Sequence, residues 1–308
     1  MEEKHHYIGS VRFYKQLILL IVFLLIFIPS VSTALLWNAN LHLQRQLKEC
    51  DQKGVTQGPS VQMSSSVTGS IVSDAEVMDY QQLYPTLYIK GPAPAITEEE
   101  ERCVYLTFDD GPSALTGQVL DILAEYDVKA TFFVVYQQDE QSLEMYRRIV
   151  AEGHTLGIHS ASHNYKQIYR SVEAYLEDFA RLYDHLYLTT GVKPEVFRFP
   201  GGSVNAYNQT IYQELIAEML RRGFRYFDWN ASAQDAAKGV TSASCEQSVR
   251  DSVKDRDRAI ILFHDSQGHN ATVAALPRII EELRDKGYTF EKLDRTVRPI
   301  DFSYSYTD

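Results

Sequence analysis

Cysteine is scarce in this chain. Its 308 residues include only Cys50, Cys103 and Cys245, with no C-x-x-C pair among them. Such spacing suggests neither a zinc ribbon nor a disulfide framework, and a single Cys103–Cys245 bridge has nothing to support it. Excess basic charge is also missing. The 30 Lys and Arg face 41 Asp and Glu, a net charge of −11, so there is no electrostatic reason to expect nucleic acid. Acidity of this kind says nothing for or against a neutral partner such as a glycan. There is no internal repeat and no G-x-S-x-G elbow, so nothing points to a serine nucleophile.

Charge of either sign disappears between Gln16 and Leu41, and Leu17 to Ile28 is almost continuously aliphatic. With Val31, Ala34, Leu35, Leu36 and Trp37 added, the span reaches the roughly 20 residues needed to cross a bilayer. Lys4, Arg12 and Lys15 precede it, which puts the amino end in the cytoplasm by the positive-inside rule. A cleaved secretory signal is the competing reading, since Pro29 to Ala34 is rich in small residues. Apolar residues resume at once and Trp37 closes the segment, which favours an uncleaved anchor. Either reading sends the remainder outside the cytoplasm. The expected organisation is a cytoplasmic terminus over 1–15, a membrane anchor over 16–37, an extracytoplasmic spacer over 38–98, a folded domain over 99–294 and a tail over 295–308. Within the spacer, residues 54–72 are dominated by Ser, Gly, Gln and Thr and read as flexible, whereas Tyr80 to Ile89 is apolar enough to pack on the domain.

From Cys103 onward, strand-like and helix-like segments alternate. Val104–Phe108, Ala130–Val135, Thr155–His159, Val196–Phe199, Phe224–Asp228, Ala259–Phe263 and Thr289–Leu293 read as strands. Helical periodicity is clearest where Val172, Tyr175, Leu176, Phe179, Leu182, Tyr183 and Leu186 recur on one face. A looser segment separates Phe224–Asp228 from Ala259–Phe263. The pattern predicts an α/β fold, a distorted parallel (β/α) barrel of about seven strands, preceded by the transmembrane helix and spacer.

Polar residues gather where those strands end, which is where parallel α/β sheets build their sites. Asp109-Asp110 sits at the first strand end, just before Gly111-Pro112. Adjacent like charges repel, but a cation would make one carboxylate a ligand and leave the other beside it as a base. His159 and His163, at i and i+4, can meet one ion after the third strand, and two nitrogens with one oxygen suit Zn²⁺ or Co²⁺. Taken alone, each feature has an ordinary explanation in a solvated turn, a surface histidine pair or a structural salt bridge. Arg198 is placed to pair with Asp109, and the Pro200-Gly201-Gly202 turn lets main-chain N–H groups approach a ligand. Asp228-Trp229 and Leu262-Phe263-His264-Asp265 complete the set, with His264 an acid that a neighbouring carboxylate could tune.

In order, Thr107–Ser113, His159–His163, Arg198–Gly202, Asp228-Trp229 and Leu262–His264 resemble the motifs of the polysaccharide deacetylases of carbohydrate esterase family 4, the NodB homology domain. Similarity runs from about Cys103 to Leu293. The resemblance implies that Asp109 is the catalytic base and that Asp110, His159 and His163 hold a divalent metal, with Zn²⁺ the first expectation. It further implies that Arg198 holds and tunes the base, and that His264 is the catalytic acid with Asp228 as its tuning partner. Gly201 would offer an oxyanion N–H beside Pro200, and Trp229 and Leu262 would line the groove and acetyl pocket. The implied reaction removes acetyl groups from N-acetylglucosamine in a cell-wall glycan. The anchor makes peptidoglycan the expected polymer, with the catalytic domain held at the outer face of the cell membrane. Chitin oligosaccharides and acetylxylan stay open within the same chemistry. A non-catalytic glycan-binding surface protein is the reading of a different class.

Overall fold

The computed structural model describes residues 78–92, 94–97 and 102–302, all within the second of two compact units, residues 74–308. The expected anchor over 16–37 lies outside the described residues. Among those described, no helix is long and apolar enough to cross a membrane.

Eight parallel strands form one sheet: β1 (Cys103–Asp109), β2 (Thr131–Val135), β3 (Thr155–Ser160), β4 (Val196–Phe197), β5 (Arg225–Tyr226), β6 (Ala231–Ser232), β7 (Arg258–His264) and β8 (Thr289–Glu291). Their order is β5-β4-β3-β2-β1-β7-β6, with β8 also paired to β1. The two ends of this path, β5 and β6, are consecutive in the chain. A bent segment therefore bonds first to β4 and then, past the four residues 227–230, to β7. Phe227 N–H donates to Phe197 and Asn230 N–H to Ile260 on its two sides. The sheet is thus curled into a half-barrel with no ladder between β5 and β6, an open form of the barrel expected, with β6 added in the looser segment.

Side-chain alternation along β1 explains how the barrel is filled. Val104, Leu106 and Phe108 join the large cluster packed under the helices, whereas Cys103 and Tyr105 join an inner cluster with Phe133, Phe227, Ile260 and Leu293. Thr107 and Asp109 continue that inner face, so the interior turns polar toward the end of the strand. Register matters here too. β1 pairs with β7 from Cys103↔Arg258 to Asp109↔His264, which sets the last residues of two adjacent strands side by side.

The helices are α1 (Ala114–Glu125), α2 (Glu140–Ala151), the single turn α3 (Tyr165–Ile168), α4 (Val172–Thr190), α5 (Tyr212–Arg221), α6 (Ser242–Val253) and α7 (Asn270–Asp285). Ser113 caps α1 by accepting from Leu115 N–H at 3.0 Å, which stops the Asp-Asp-Gly-Pro turn directly after β1. Helix α4 stops at Gly191, whose φ of 74° few other residues adopt readily. Helix α6 carries only Cys245, Val249 and Val253 as buried residues, a stripe too sparse to stand out in a polar sequence.

Two stretches outside the expected 99–294 boundary are packed onto this domain. Leu87 is buried in the large cluster, and the fully buried Arg222 side chain donates to the carbonyls of Tyr80, Leu83, Tyr84 and Leu87. At the other end, Val297 joins the inner cluster and Ile300 accepts from Asp228 N–H at 2.9 Å.

Candidate active site and metal centre

Asp110 follows β1 in a left-handed conformation, φ 70°, which turns its carboxylate toward the end of β3. There Asp110 Oδ1 lies 3.4 Å from His159 Nε2 and 3.1 Å from His163 Nε2. The oxygen is buried and has no hydrogen-bond partner, so the 3.1 Å approach is a convergence of ligand atoms without hydrogen-bond geometry. All three ligand atoms lie within 4.8 Å of one another. His159 Nδ1 is 2.8 Å from the Arg198 carbonyl, which can only accept. The proton therefore sits on Nδ1, and Nε2 turns its lone pair toward Asp110. Burial pushes the His159 pKa down and keeps the ring neutral, as a ligand must be. Burial opposes ionisation of Asp110, but His163 and His159 outweigh it and hold the carboxyl well below the usual range. One carboxylate oxygen with no hydrogen-bond partner and two imidazole nitrogens beside it suit a divalent metal ion.

The 159–163 loop is shaped by a residue that sequence spacing did not single out. Asp178, on α4, accepts from Ser160 Oγ and from the N–H groups of Ala161 and Ser162 at 2.7–2.8 Å. Ser160 Oγ in turn accepts from His163 N–H at 2.9 Å, with His163 in a left-handed turn. Tyr165 meets the His163 ring edge-on at 5.3 Å.

Asp109 faces the barrel interior, 3% exposed. Its Oδ1 accepts from Arg198 Nη1 at 2.8 Å, while Oδ2 lies 3.9 Å from His159 Nε2. Arg198, fully buried, also donates to Thr107 Oγ1 and to the Phe227 carbonyl, each at 2.8 Å. Its guanidinium lies 4.4 Å from the Phe133 ring centre and 5.5 Å from that of Trp229. A guanidinium so completely engaged fixes one carboxylate oxygen and leaves the other facing the ligand cluster.

His264, at the end of β7, is held by a different residue from the one expected. Its partner is Asp235, whose Oδ1 accepts from Nδ1 at 2.8 Å and whose Oδ2 accepts from His264 N–H at 2.7 Å. Burial alone would lower the imidazole pKa, but Asp235, helped by Asp109 and Asp110, pushes it up to about 9. Asp228, expected in that role, instead accepts from Ser203 N–H and from Phe302 N–H, each at 2.8 Å. Asp228 follows β5 on the β4 side of the bend, whereas Asp235 follows β6 on the β7 side, beside His264. Nothing in the sequence marked the pairing, because β6 was hidden in an irregular stretch.

The neighbouring Asp265 is fully buried. It accepts from Thr116 Oγ1 at 2.6 Å, and burial, with Asp110 and Asp109 adding to it, pushes its pKa up to about 7. Its carboxyl fills the space that a side chain at Gly111 would need, so the turn after Asp110 requires glycine.

Gly201 and Gly202 both have positive φ, 77° and 88°, in the turn after β4. Pro200 accepts from Tyr169 Oη at 2.8 Å, and Gly202 N–H is committed to the Phe199 carbonyl at 2.8 Å. Trp229 is half-buried against the inner cluster, and Leu262 is buried at 7% exposure. A 720 Å³ cleft opens beside Asp110 between Ser113, Gln137 and Ser266. A larger hollow of 920 Å³ runs from Trp229 along α6 and touches none of the metal-ligand candidates.

Known proteins resemble this chain over the same domain. The family described as polysaccharide deacetylase matches residues 97–220. A peptidoglycan-N-acetylglucosamine deacetylase of Bacillus cereus is 30% identical over 75% of this chain and 84% of its own length. The YheN protein of Bacillus subtilis is 31% identical over 78% of this chain and 83% of its own. Among solved structures, the catalytic domain of a peptidoglycan N-acetylglucosamine deacetylase from Eubacterium rectale superposes with a TM-score of 0.65 at 34% identity, over 68% of this chain and 96% of that one. Identity at this level, spread over most of both partners, shows that the chain belongs to the polysaccharide deacetylase family.

Proposed function

We propose that this chain hydrolyses the acetamide of N-acetylglucosamine units in peptidoglycan, releasing acetate, with a divalent transition ion held by Asp110, His159 and His163. One observation carries the reading. A ligand cluster whose Asp110 oxygen has no hydrogen-bond partner is flanked by a carboxylate held by a buried Arg and by an imidazole held by a buried Asp. A structural role for the cluster alone would require neither of those flanking pairs.

A bound ion supplies Lewis acidity to the carbonyl and lowers the pKa of water. Asp109, with Oδ1 fixed by Arg198, accepts the proton from the attacking water at Oδ2. The Gly201 N–H donates to the oxygen that becomes negative as the carbonyl carbon turns tetrahedral. His264, carrying protons on both nitrogens, gives the Nε2 proton to the departing amine while Asp235 retains Nδ1. Trp229 and Leu262 wall the acetyl group. Proton transfer of this kind contributes roughly 10²–10⁴-fold to rate.

The named activities of the Bacillus cereus and Eubacterium rectale relatives support peptidoglycan as the polymer. The uncharged stretch Gln16–Leu41 supports anchoring at the membrane with the domain outside. Mass spectrometry of wall fragments treated with the full chain tests the assignment. Loss of one acetyl group per N-acetylglucosamine is expected, and unchanged fragments with a metal-loaded protein would refute it.

A further inference from the structure

Phe302 comes after the last strand, yet its contacts run to the turn that follows β4. Its N–H donates to Asp228 Oδ2 at 2.8 Å. The same carboxyl takes Ser203 N–H at 2.8 Å and Ser203 Oγ at 2.5 Å, while Asp228 N–H donates to the Ile300 carbonyl at 2.9 Å. Asp228 is therefore a buried strut with the glycine turn on one side and the C-terminal stretch on the other. The Phe302 ring lies against Gly202 so closely that a Cβ there would collide with it. It also meets Trp229 edge-on, ring centres 4.8 Å apart at 76°.

We propose that Phe302 is a positioning residue of the reaction. Through Gly202, Trp229 and the Asp228 strut it sets where the Gly201 N–H and the Trp229 wall stand relative to the ligand cluster. The proposal rests on the reading of Gly201 as oxyanion donor given above.

Contacts within the turn separate positioning from mere folding. Asn205 Nδ2 donates to the carbonyls of Pro200 and Gly202 at 3.2 and 3.1 Å, and Tyr169 Oη holds Pro200 from below. Gly202 N–H closes on Phe199. The turn thus has staples of its own besides its contact with the tail. What Phe302 adds is a lateral stop on a backbone with no side chain of its own to resist displacement. Small displacements are costly in a site of this kind, since about 1 Å can lower a rate by roughly 10²-fold.

The test compares the full chain, Zn²⁺-loaded, with Phe302→Ala and Phe302→Tyr on an N-acetylglucosamine tetramer. Acetate release gives kcat and KM, and zinc content and melting temperature are read on the same samples. Phe302→Ala should lower kcat by about tenfold or more, with KM within twofold and zinc content unchanged. Its melting temperature should fall by only a few degrees, and Phe302→Tyr should recover most of the kcat. A Phe302→Ala kcat within twofold of wild type overturns the proposal. So does a loss that tracks lost zinc or lost fold, because that would make Phe302 a packing residue only. Absence of acetate release from the wild-type chain is a different result: it refutes the deacetylase reading itself.

Discussion

Asp235 and His264 form a two-point clasp: one carboxylate oxygen takes the ring Nδ1 proton at 2.8 Å and the other takes the main-chain N–H at 2.7 Å. Thr272 Oγ1 adds a third bond to Asp235 Oδ2 at 2.7 Å, so the carboxylate cannot turn away. With its pKa pushed up to about 9, His264 holds both protons at neutral pH. Because the folded pKa lies above the unfolded value, the stability the clasp contributes is fully present below about 6.5 and is lost as pH rises through about 9. Activity should follow the same limb, since only the protonated ring can donate to the leaving amine.

The first prediction removes the countercharge. Asp235→Asn retains the shape but leaves burial opposed only by the weaker pull of Asp109 and Asp110, so the basic limb of the kcat–pH profile should move down by about one to three units. Profiles of wild type and variant between pH 6 and 10 would measure it. An unmoved limb would mean that another group supplies the proton.

Separating ligand from base is the second prediction. Chelation should abolish acetate release, and Zn²⁺ or Co²⁺ should restore it. Asp110→Asn should lose the metal, while Asp109→Asn should keep it and still lose roughly 10²–10⁴-fold in kcat. Metal analysis beside kinetics distinguishes the adjacent carboxylates. Their different environments support the division: Asp109 is tied to Arg198 at 2.8 Å, and Asp110 faces two imidazoles.

Asp178 carries the third. It touches no candidate ligand atom, yet three bonds to residues 160–162 hold the loop that carries His163. Asp178→Ala should weaken metal affinity by about 10- to 100-fold, as loss of residues that orient ligands does. Competition with a chromogenic chelator reads the change. Affinity equal to wild type would show that the loop holds itself.

Most of the barrel could be read from sequence because β1, β2, β3, β4 and β7 are each a short apolar run followed by a helical stripe. The strand-end residues Asp109, Asp110, His159, Arg198 and His264 stood out for the same reason. Asp235 did not. It follows a two-residue strand whose pairing with β7 depends on the bend at 227–230, a long-range effect that leaves no local periodicity. Asp228 was visible beside Trp229, but its acceptors face Ser203 and Phe302, and only the path of the C-terminal stretch reveals that. Helix α6 escaped because its buried stripe is one residue per turn.

Arg222 carries the last prediction, which concerns how far the domain extends. Its guanidinium is fully buried, bonds to Glu218 at 2.7 Å and caps four carbonyls between Tyr80 and Leu87. Ile89 N–H returns to the Arg222 carbonyl at 2.9 Å. A free 3-10 turn over Asp79–Gln82 would have little to hold it, so the segment folds against the arginine. Arg222→Met would keep the stem but strand those carbonyls, although Glu218 would still have Arg221 at 2.6 Å. With Glu218 still paired, the cost lies in the stranded carbonyls, roughly 1–3 kcal/mol for each that stays out of water and about 3–5 kcal/mol in all. For a domain of this size that corresponds to a fall in melting temperature of roughly 6–20 °C. Arg221→Ala gives up one carbonyl of the segment, that of Gln81, and leaves Glu218 paired with Arg222, so it should cost less, about 1–2 kcal/mol. Limited proteolysis should then cut Arg222→Met within 78–92 and spare that segment in Arg221→Ala. Equal resistance in both variants would mean that Leu87 and its apolar neighbours, and not the arginine, dock this segment on the barrel.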